Sequence, residues 1–394
     1  MSSGKRILIF GGSHSELPLI KAAKKFGLTV LTSGNRPDHP GHLVSDEFHP
    51  ADFSDITQML EVTKKSKCDY IVSAANDYSY LSASAVAEQL NFPGFDGYET
   101  AKLIHHKHLF KPMALQLGLP VTRFIVLDNQ DITPINNANL IYPLIIKPVD
   151  LTGGKGINVV QSPGDVPSAI AQAAVLSKMS SVIVEEFFEG SLHSYSTIIQ
   201  NQKIVFEYTD NEYCYPNPYL VSTSTSIASV PSHIISDLKI QTEKLIKYLK
   251  LVDGILHCQF LYKQGEYVIV EYTRRMSGDL YSNVVEAVTG LRHSEQFIRS
   301  STGMSLELTR DKPIGDFISR HCIFPKKTGF YQSIQSDKKI TPFIISSTNA
   351  FEPGYFFKEP LKEKAAVVLL SYPSHSCMLE LYPMLNNLLL TEIN

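Results

Sequence analysis

Roughly the first ninety residues constrain the fold more than any other part of the chain. The apolar run RILIFGG (residues 6–12) ends in glycines, and SELPLIKAAKKFG after it has helical periodicity and a glycine stop. LTVLTSG reads as a second strand, followed by a Pro/His/Gly loop through Gly41 and a helix around Ser54–Lys65. YIVSAAND and YLSASAVAEQL repeat the strand–helix step. This β-α-β-α alternation predicts a doubly wound parallel sheet. Asn76 and Asp77 fall just past a strand's C-terminal end, where ligands bind in such sheets. FGGSHSE is not GxGxxG, and no acidic residue ends the second strand. Gly11–Gly12 therefore read as glycines of a tight βα turn, and an NAD-dependent oxidoreductase is disfavoured.

The chain has 394 residues, enough for two or three domains, and 43% hydrophobic content supports ordinary cores. A net charge of −3 gives no reason to expect nucleic acid or anionic membranes as partners. The five cysteines are scattered and form no CxxC or Cys/His cluster, so reduced thiols are expected. MSSGKRILIFGGSH contains no signal-peptide h-region, and no apolar run approaches the ~18 residues of a membrane span. A cytoplasmic protein is the expectation.

From Tyr98 the pattern changes. Thr100–Leu117 reads as one helix carrying Lys107 and Lys111, stopped by Gly118, with a Pro/Asn-rich stretch to Tyr142. Then come the strand LIIKP, the turn TGGKG, the strand INVV, a helix near Asp165–Ser177 and the strand VIVEEFFEG. Strands near Tyr195–Tyr208, an irregular Tyr/Pro/Ser segment (Asn211–Ser232) and a helix at Ser236–Leu249 lead into Gly254–Gly278. That segment predicts a hairpin turning at Lys263–Gln264–Gly265. A helix at Tyr281–Val288 follows, and short strands from about Lys312 form a β-rich or α+β lobe.

Several of these segments carry chemistry. Lys147 ends a buried strand, where an ammonium must leave the apolar layer or be paired. Gly153, Gly154, Lys155 and Gly156 form a loop whose N–H groups can approach a polyphosphate, though GGKG alone is equally a plain turn. VIVEEFFEG can flank an adenine, with Glu185 or Glu189 accepting from N6 or ribose hydroxyls; in isolation it is equally an amphipathic edge strand. In the hairpin, Gln259 and Glu271 stand on neighbouring strands with Arg274–Arg275 beyond. Oxygen ligands and cations in that arrangement suit a hard divalent metal on a polyphosphate. Solvated surface charges remain the plain alternative.

The order of these elements resembles the ATP-grasp superfamily over nearly the whole chain. Among its members the chain most resembles carboxylate–amine ligases of the L-amino-acid ligase kind, and more distantly biotin carboxylase and the purine-pathway carboxylation enzymes. The resemblance implies α/β and α+β architecture: a pre-ATP-grasp α/β domain (1–100), an ATP-grasp domain (101–305) and a C-terminal lobe (306–394). Two α+β lobes of the middle domain, about 121–190 and 191–305, would clasp ATP. Lys107 and Lys147 match the ATP-phosphate lysines, with Lys155 in the mobile glycine loop. Glu185, Glu186 and Phe188 match the adenine hinge, and Glu189 is a ribose candidate. His193 opens a segment, HSYS, where many members carry a glutamate. Glu271 matches a Mg2+ (or Mn2+) ligand, and Arg275 matches the arginine that steadies the acyl phosphate.

Gln259 and Thr273 depart from the family's usual glutamate and asparagine, although each still offers a neutral oxygen to the metal. The acceptor pocket is expected between the N-terminal domain, the Asn211–Ser232 segment and the Arg274–Asp279 turn. Asp77, Tyr213, Tyr215, Tyr219, Ser224, Arg275, Ser277 and Gly278 are its candidate residues. The implied reaction joins a small carboxylate to an amine, amino acids among them, through an acyl phosphate, and the resemblance admits a homodimer. Two alternatives stay open: a bicarbonate-activating carboxylation enzyme, and a nucleotide-binding regulator with little catalysis.

Overall fold

The computed structural model describes residues 4–128, 133–151 and 153–394. Its first sheet runs Glu47–Pro50, Thr29–Gly34, Arg6–Phe10 and Tyr70–Ser73, all parallel. Ile7, Leu8, Ile9 and Phe10 are fully buried, as a central strand covered on both faces requires. Ser13 and Glu16 make a capping box at the entry to the Leu17–Lys25 helix, and Asn76 caps Asp77–Leu90. Gly11 and Gly12 are packing glycines. A Cβ on Gly11 would stand 2.4 Å from the Ala74 Cβ, and one on Gly12 would stand 2.1 Å from the His42 ring.

Residues 100–117 form two helices, Tyr98–His105 and Lys107–Gln116, where the sequence predicts one. The break follows from His105. Its Nδ1 pairs with Asp77 at 2.8 Å, its ring stacks on Tyr80, and its Nε2 accepts the Arg274 N–H at 3.3 Å. His106 leaves the helical region (φ −98°, ψ 116°), and the second helix starts with Lys107.

An antiparallel sheet of Phe124–Leu127, Val182–Glu186, Leu144–Pro148 and Asn158–Val160 packs against the Val166–Leu176 helix. Thr152, the first residue of the TGGKG turn, lies outside the described residues, as do residues 129–132 of the Pro/Asn-rich stretch. The largest sheet has eight strands in the order Glu266–Thr273, Gly254–Lys263, Ser191–Gln200, Lys203–Tyr213, Thr223–Thr225, Ile318–Ile323, Ala366–Ser371, Ile344–Asn349. It runs without interruption past residue 305 into the C-terminal portion. A three-stranded sheet (Phe356–Phe357, Gly329–Ser336, Leu389–Ile393) completes that end. The helix His293–Ser301 was not foreseen. Its HSEQFIRSS sequence offers only Phe297 and Ile298 as apolar residues, both buried against the N-terminal helix Leu17–Lys25 and its neighbours. Among the described residues, no helix is long and apolar enough to cross a membrane.

Candidate active site

The Gly254–Thr273 hairpin turns where predicted, and its register sets Gln259 directly opposite Glu271 and His257 opposite Thr273. These four side chains line an open cavity of about 810 Å³ between the small antiparallel sheet and the eight-stranded sheet. Glu271 lies 3.7 Å from the Lys107 ammonium. Thr273 is buried and its Oγ1 has no hydrogen-bond partner among the described residues. Gln259 Nε2 donates to Glu212 Oε2 at 2.5 Å.

Lys107, Lys147, Gly153, Gly154 and Lys155 also line the cavity. Lys107 starts its helix and donates to the Leu151 carbonyl at 2.9 Å, which ties that helix to the glycine loop. Gly154 needs its left-handed backbone (φ 73°), and a Cβ there would stand 2.5 Å from the Tyr219 carbonyl oxygen. The loop is thus seated on the tyrosine-rich segment. Gly156 packs away from the cavity, on Pro148 and Leu176.

The hinge strand differs from expectation. Phe188 and Glu189 reach the cavity, but Glu185 and Glu186 do not. Glu185 is buried, 2.7 Å from the Lys111 ammonium and 3.0 Å from that of Lys147, and it accepts from Thr122 Oγ1 at 2.6 Å. Burial alone would raise its pKa; the two lysines outweigh this and hold it well below the usual carboxylate range. Glu186 faces outward, 3.0 Å from Arg123, and accepts the Ile141 N–H at 2.9 Å. His193 is likewise a core residue: it stacks on Phe260, its Nε2 meets Ser191 Oγ at 2.7 Å, and burial lowers its pKa to about 4.

Around the Arg274–Asp279 turn and the tyrosine-rich segment, Tyr213, Tyr219, Arg275, Ser277 and Gly278 line the cavity, as does Tyr215. Asp77 and Ser224 do not. Both Asp77 oxygens are engaged by Arg275, at 2.9 and 3.0 Å, so the carboxylate aims the guanidinium instead of meeting a ligand. Ser224 is fully buried within the Thr223–Thr225 strand. Arg274, the other member of the arginine pair, is structural: it is buried against Asp96 at 2.6 Å and donates to the carbonyls of Ile255 and Val252.

Of the charged and phenolic residues lining the cavity, Glu212, Asp279, Tyr281, Arg320 and Lys364 were not singled out from the sequence, although Glu212 and Asp279 lie within the Asn211–Ser232 segment and the Arg274–Asp279 turn expected to border the pocket. Glu212 pairs with Ser224, and Ser224 with Arg320, so strand register puts the carboxylate and guanidinium two strands apart on one row. Lys364 pairs with Asp279, and Arg320 Nη1 donates to the carbonyls of Gly278 and Asp279 at 3.2 and 3.3 Å. Beside this row, Asp210 is fully buried; its Oδ1 accepts from Ser194, while its Oδ2 has no partner among the described residues. Burial, reinforced by Glu212, raises its pKa well above the ordinary value. Glu212 is raised too, by burial, with Arg320 and the Gln259 hydrogen bond opposing.

Residues 107–309, just over half of the chain, match the family described as carbamoyl-phosphate synthase L chain, ATP binding domain. The chain belongs to this ATP-grasp family. A formate-dependent phosphoribosylglycinamide formyltransferase from Prochlorococcus marinus (strain AS9601) is 25% identical over 284 residues, covering 69% of this chain and 70% of that protein. Two solved structures share the fold along the full length of both chains. Phosphoribosylglycinamide synthetase from Anaerococcus prevotii superposes with a TM-score of 0.78 at 20% identity. L-amino acid ligase from Bacillus licheniformis does so with 0.81 at 16%. The protein is an ATP-grasp ligase of the ADP-forming kind.

A divalent metal fits the donors of this ATP-grasp chain. Glu271 stands 3.7 Å from the Lys107 ammonium, beyond hydrogen-bond distance, the Thr273 hydroxyl is buried without a partner among the described residues, and Gln259 spends its amide nitrogen on Glu212, which leaves its oxygen for a cation. The carboxyl group that Gln259 lacks stands beside it on Glu212.

Proposed function

We propose that this ligase phosphorylates a small carboxylate with ATP and passes the acyl group to an amine, forming an amide and releasing ADP and phosphate. The observation that carries this reading is the crowding of cations of two kinds around one cavity. Lys107, Lys147 and Lys155 stand by the glycine loop; Arg275 and Arg320 stand by the Arg274–Asp279 turn. The relative named above is formate-dependent and formyl-transferring, which is consistent with a carboxylate as the activated partner.

In this reading the substrate carboxylate attacks the γ-phosphorus and ADP leaves, an in-line transfer that depends on positioning and on charge compensation. Lys107, Lys147 and the loop N–H groups receive the polyphosphate. Phe188 and the apolar hinge hold the base, with Glu189 beside the ribose. Gln259, Glu271 and Thr273 would hold Mg2+ or Mn2+, which would neutralise phosphate charge when bound. Arg275, aimed by Asp77, stabilises the oxyanion that forms as the amine attacks the acyl carbonyl. The glycine loop, seated on Tyr219, excludes water from the acyl phosphate.

Bicarbonate activation is the second reading, and the same arginines would serve it. The test is ATP-dependent phosphate release with pooled small carboxylates, with and without pooled amines. Release that needs both supports the amide ligase. Release driven by bicarbonate with no amine present supports carboxylation instead.

A further inference from the structure

Lys111 lies one turn beyond Lys107 on the same helix, yet it is 2% exposed and does not line the cavity. Its ammonium contacts Glu185 Oε2 at 2.7 Å and donates to Thr122 Oγ1 at 3.3 Å. The other oxygen of Glu185 holds Lys147 at 3.0 Å. An ammonium this deep is costly even when paired, and Glu185 already has a partner in Lys147. A second buried lysine on one carboxylate therefore calls for a reason.

Charge supplies it. Lys147 and Glu185 alone sum to zero, so a polyphosphate arriving at Lys147 would meet a neutral pair. With Lys111 the triad carries one positive charge, displaced toward the only member that faces the cavity. We propose that Lys111 is a positioning residue of the nucleotide site: it neutralises Glu185, so that Glu185 can aim Lys147 without cancelling its charge toward the phosphates. This rests on the reading of Lys147 as a phosphate ligand. It extends that reading to a residue that does not line the cavity.

The experiment is calorimetric titration of the full chain with MgATP and, as an uncharged control, adenosine. Thermal melts of each variant report folding. Lys147→Met tests the underlying reading: if it leaves ATP affinity unchanged, Lys147 is not a phosphate ligand. If it weakens ATP, the triad is tested next. Lys111→Met should weaken ATP by about tenfold and leave adenosine unchanged, since one uncompensated charge near the phosphates is of that order. Lys111→Met/Glu185→Gln removes both buried charges and should return ATP affinity to within about threefold of wild type. Unchanged affinity in Lys111→Met, or a double variant as weak as the single one, overturns the proposal. Should Lys111→Met not fold, the double variant decides alone: wild-type-like affinity supports the proposal, and a tenfold loss overturns it.

Discussion

The cavity has two charged walls, and they are finished to different degrees. On the small-sheet side, Glu185 sits between Lys111, Lys147 and Thr122 with both of its oxygens satisfied. On the large-sheet side, the lining residues Thr273 and Arg320 have a buried Oγ1 and Nε without partners among the described residues, as do Asp210 Oδ2 and Ser224 Oγ, which lie behind the cavity surface. Buried polar atoms are normally paired, and leaving one unpaired costs roughly 1–3 kcal/mol. The first wall is thus preorganised: its network presents Lys147 before any ligand arrives. The second keeps hydrogen-bonding capacity unused, as suits a wall that is completed by metal, substrate or water.

The largest expected effect breaks the first wall. Lys147→Met should lower ATP turnover by at least about a hundredfold, since it removes a cation from the transferring phosphoryl group. The melting temperature should stay within a few degrees of wild type. Full turnover in this variant would remove the first wall from the chemistry.

On the second wall, Arg320→Met leaves Asp210 and Glu212 without their cation. A stability loss of about 1–3 kcal/mol is expected in denaturant titrations. Adding Asp210→Asn should recover part of it. If the double variant is no more stable than Arg320→Met, Arg320 does not serve to balance those carboxyls.

Acidity separates the walls by sign. Glu185 has a depressed pKa, so its contribution to stability is present above the unfolded value and is lost as pH falls through the folded one. Asp210 has a raised pKa, so its contribution is full below the unfolded value and is lost as pH rises through the folded one. Glu185→Gln should therefore lower the melting temperature most near pH 7 and progressively less in acid. Asp210→Asn should do the reverse, gaining a few degrees at pH 7 relative to its effect near pH 4. Parallel profiles for the two variants would erase the distinction.

The smallest effect is the most specific. Gln259→Glu sets a second carboxylate against Glu212 at hydrogen-bond distance. The metal-free protein should melt a degree or two lower, with the difference vanishing on addition of Mg2+ and ATP. A loss that Mg2+ does not repair would place Gln259 outside the metal set.

Local signals were enough for much of this. The strand–helix alternation before residue 98, the hairpin turn at Lys263–Gly265 and the place of Lys147 at a strand end rest on periodicity or on neighbouring residues, whereas Lys107 was singled out through the family resemblance. Glu185 and Glu186 show where local reading stops. Successive side chains of a strand face opposite ways, but the sequence does not say that Lys111, 74 positions earlier, claims one of them. Glu212 and Arg320 were hidden for a similar reason. Glu212 falls at the start of a segment that reads as irregular and Arg320 on an ordinary-looking strand, and only the order of the eight-stranded sheet brings them to one row. Asp77 was placed at the right strand end, yet its partner Arg275 is 198 residues away and takes up both of its oxygens.

The most direct test follows the oxygen atoms of the carboxylate. Pooled small carboxylates labelled with oxygen-18 are incubated with the enzyme, ATP, Mg2+ and pooled amines, and the released phosphate is analysed by mass. An acyl phosphate predicts one labelled oxygen in inorganic phosphate, no label in any nucleotide, and loss of the signal in Lys147→Met. Label in AMP, or phosphate released without label, would contradict an acyl-phosphate ligase.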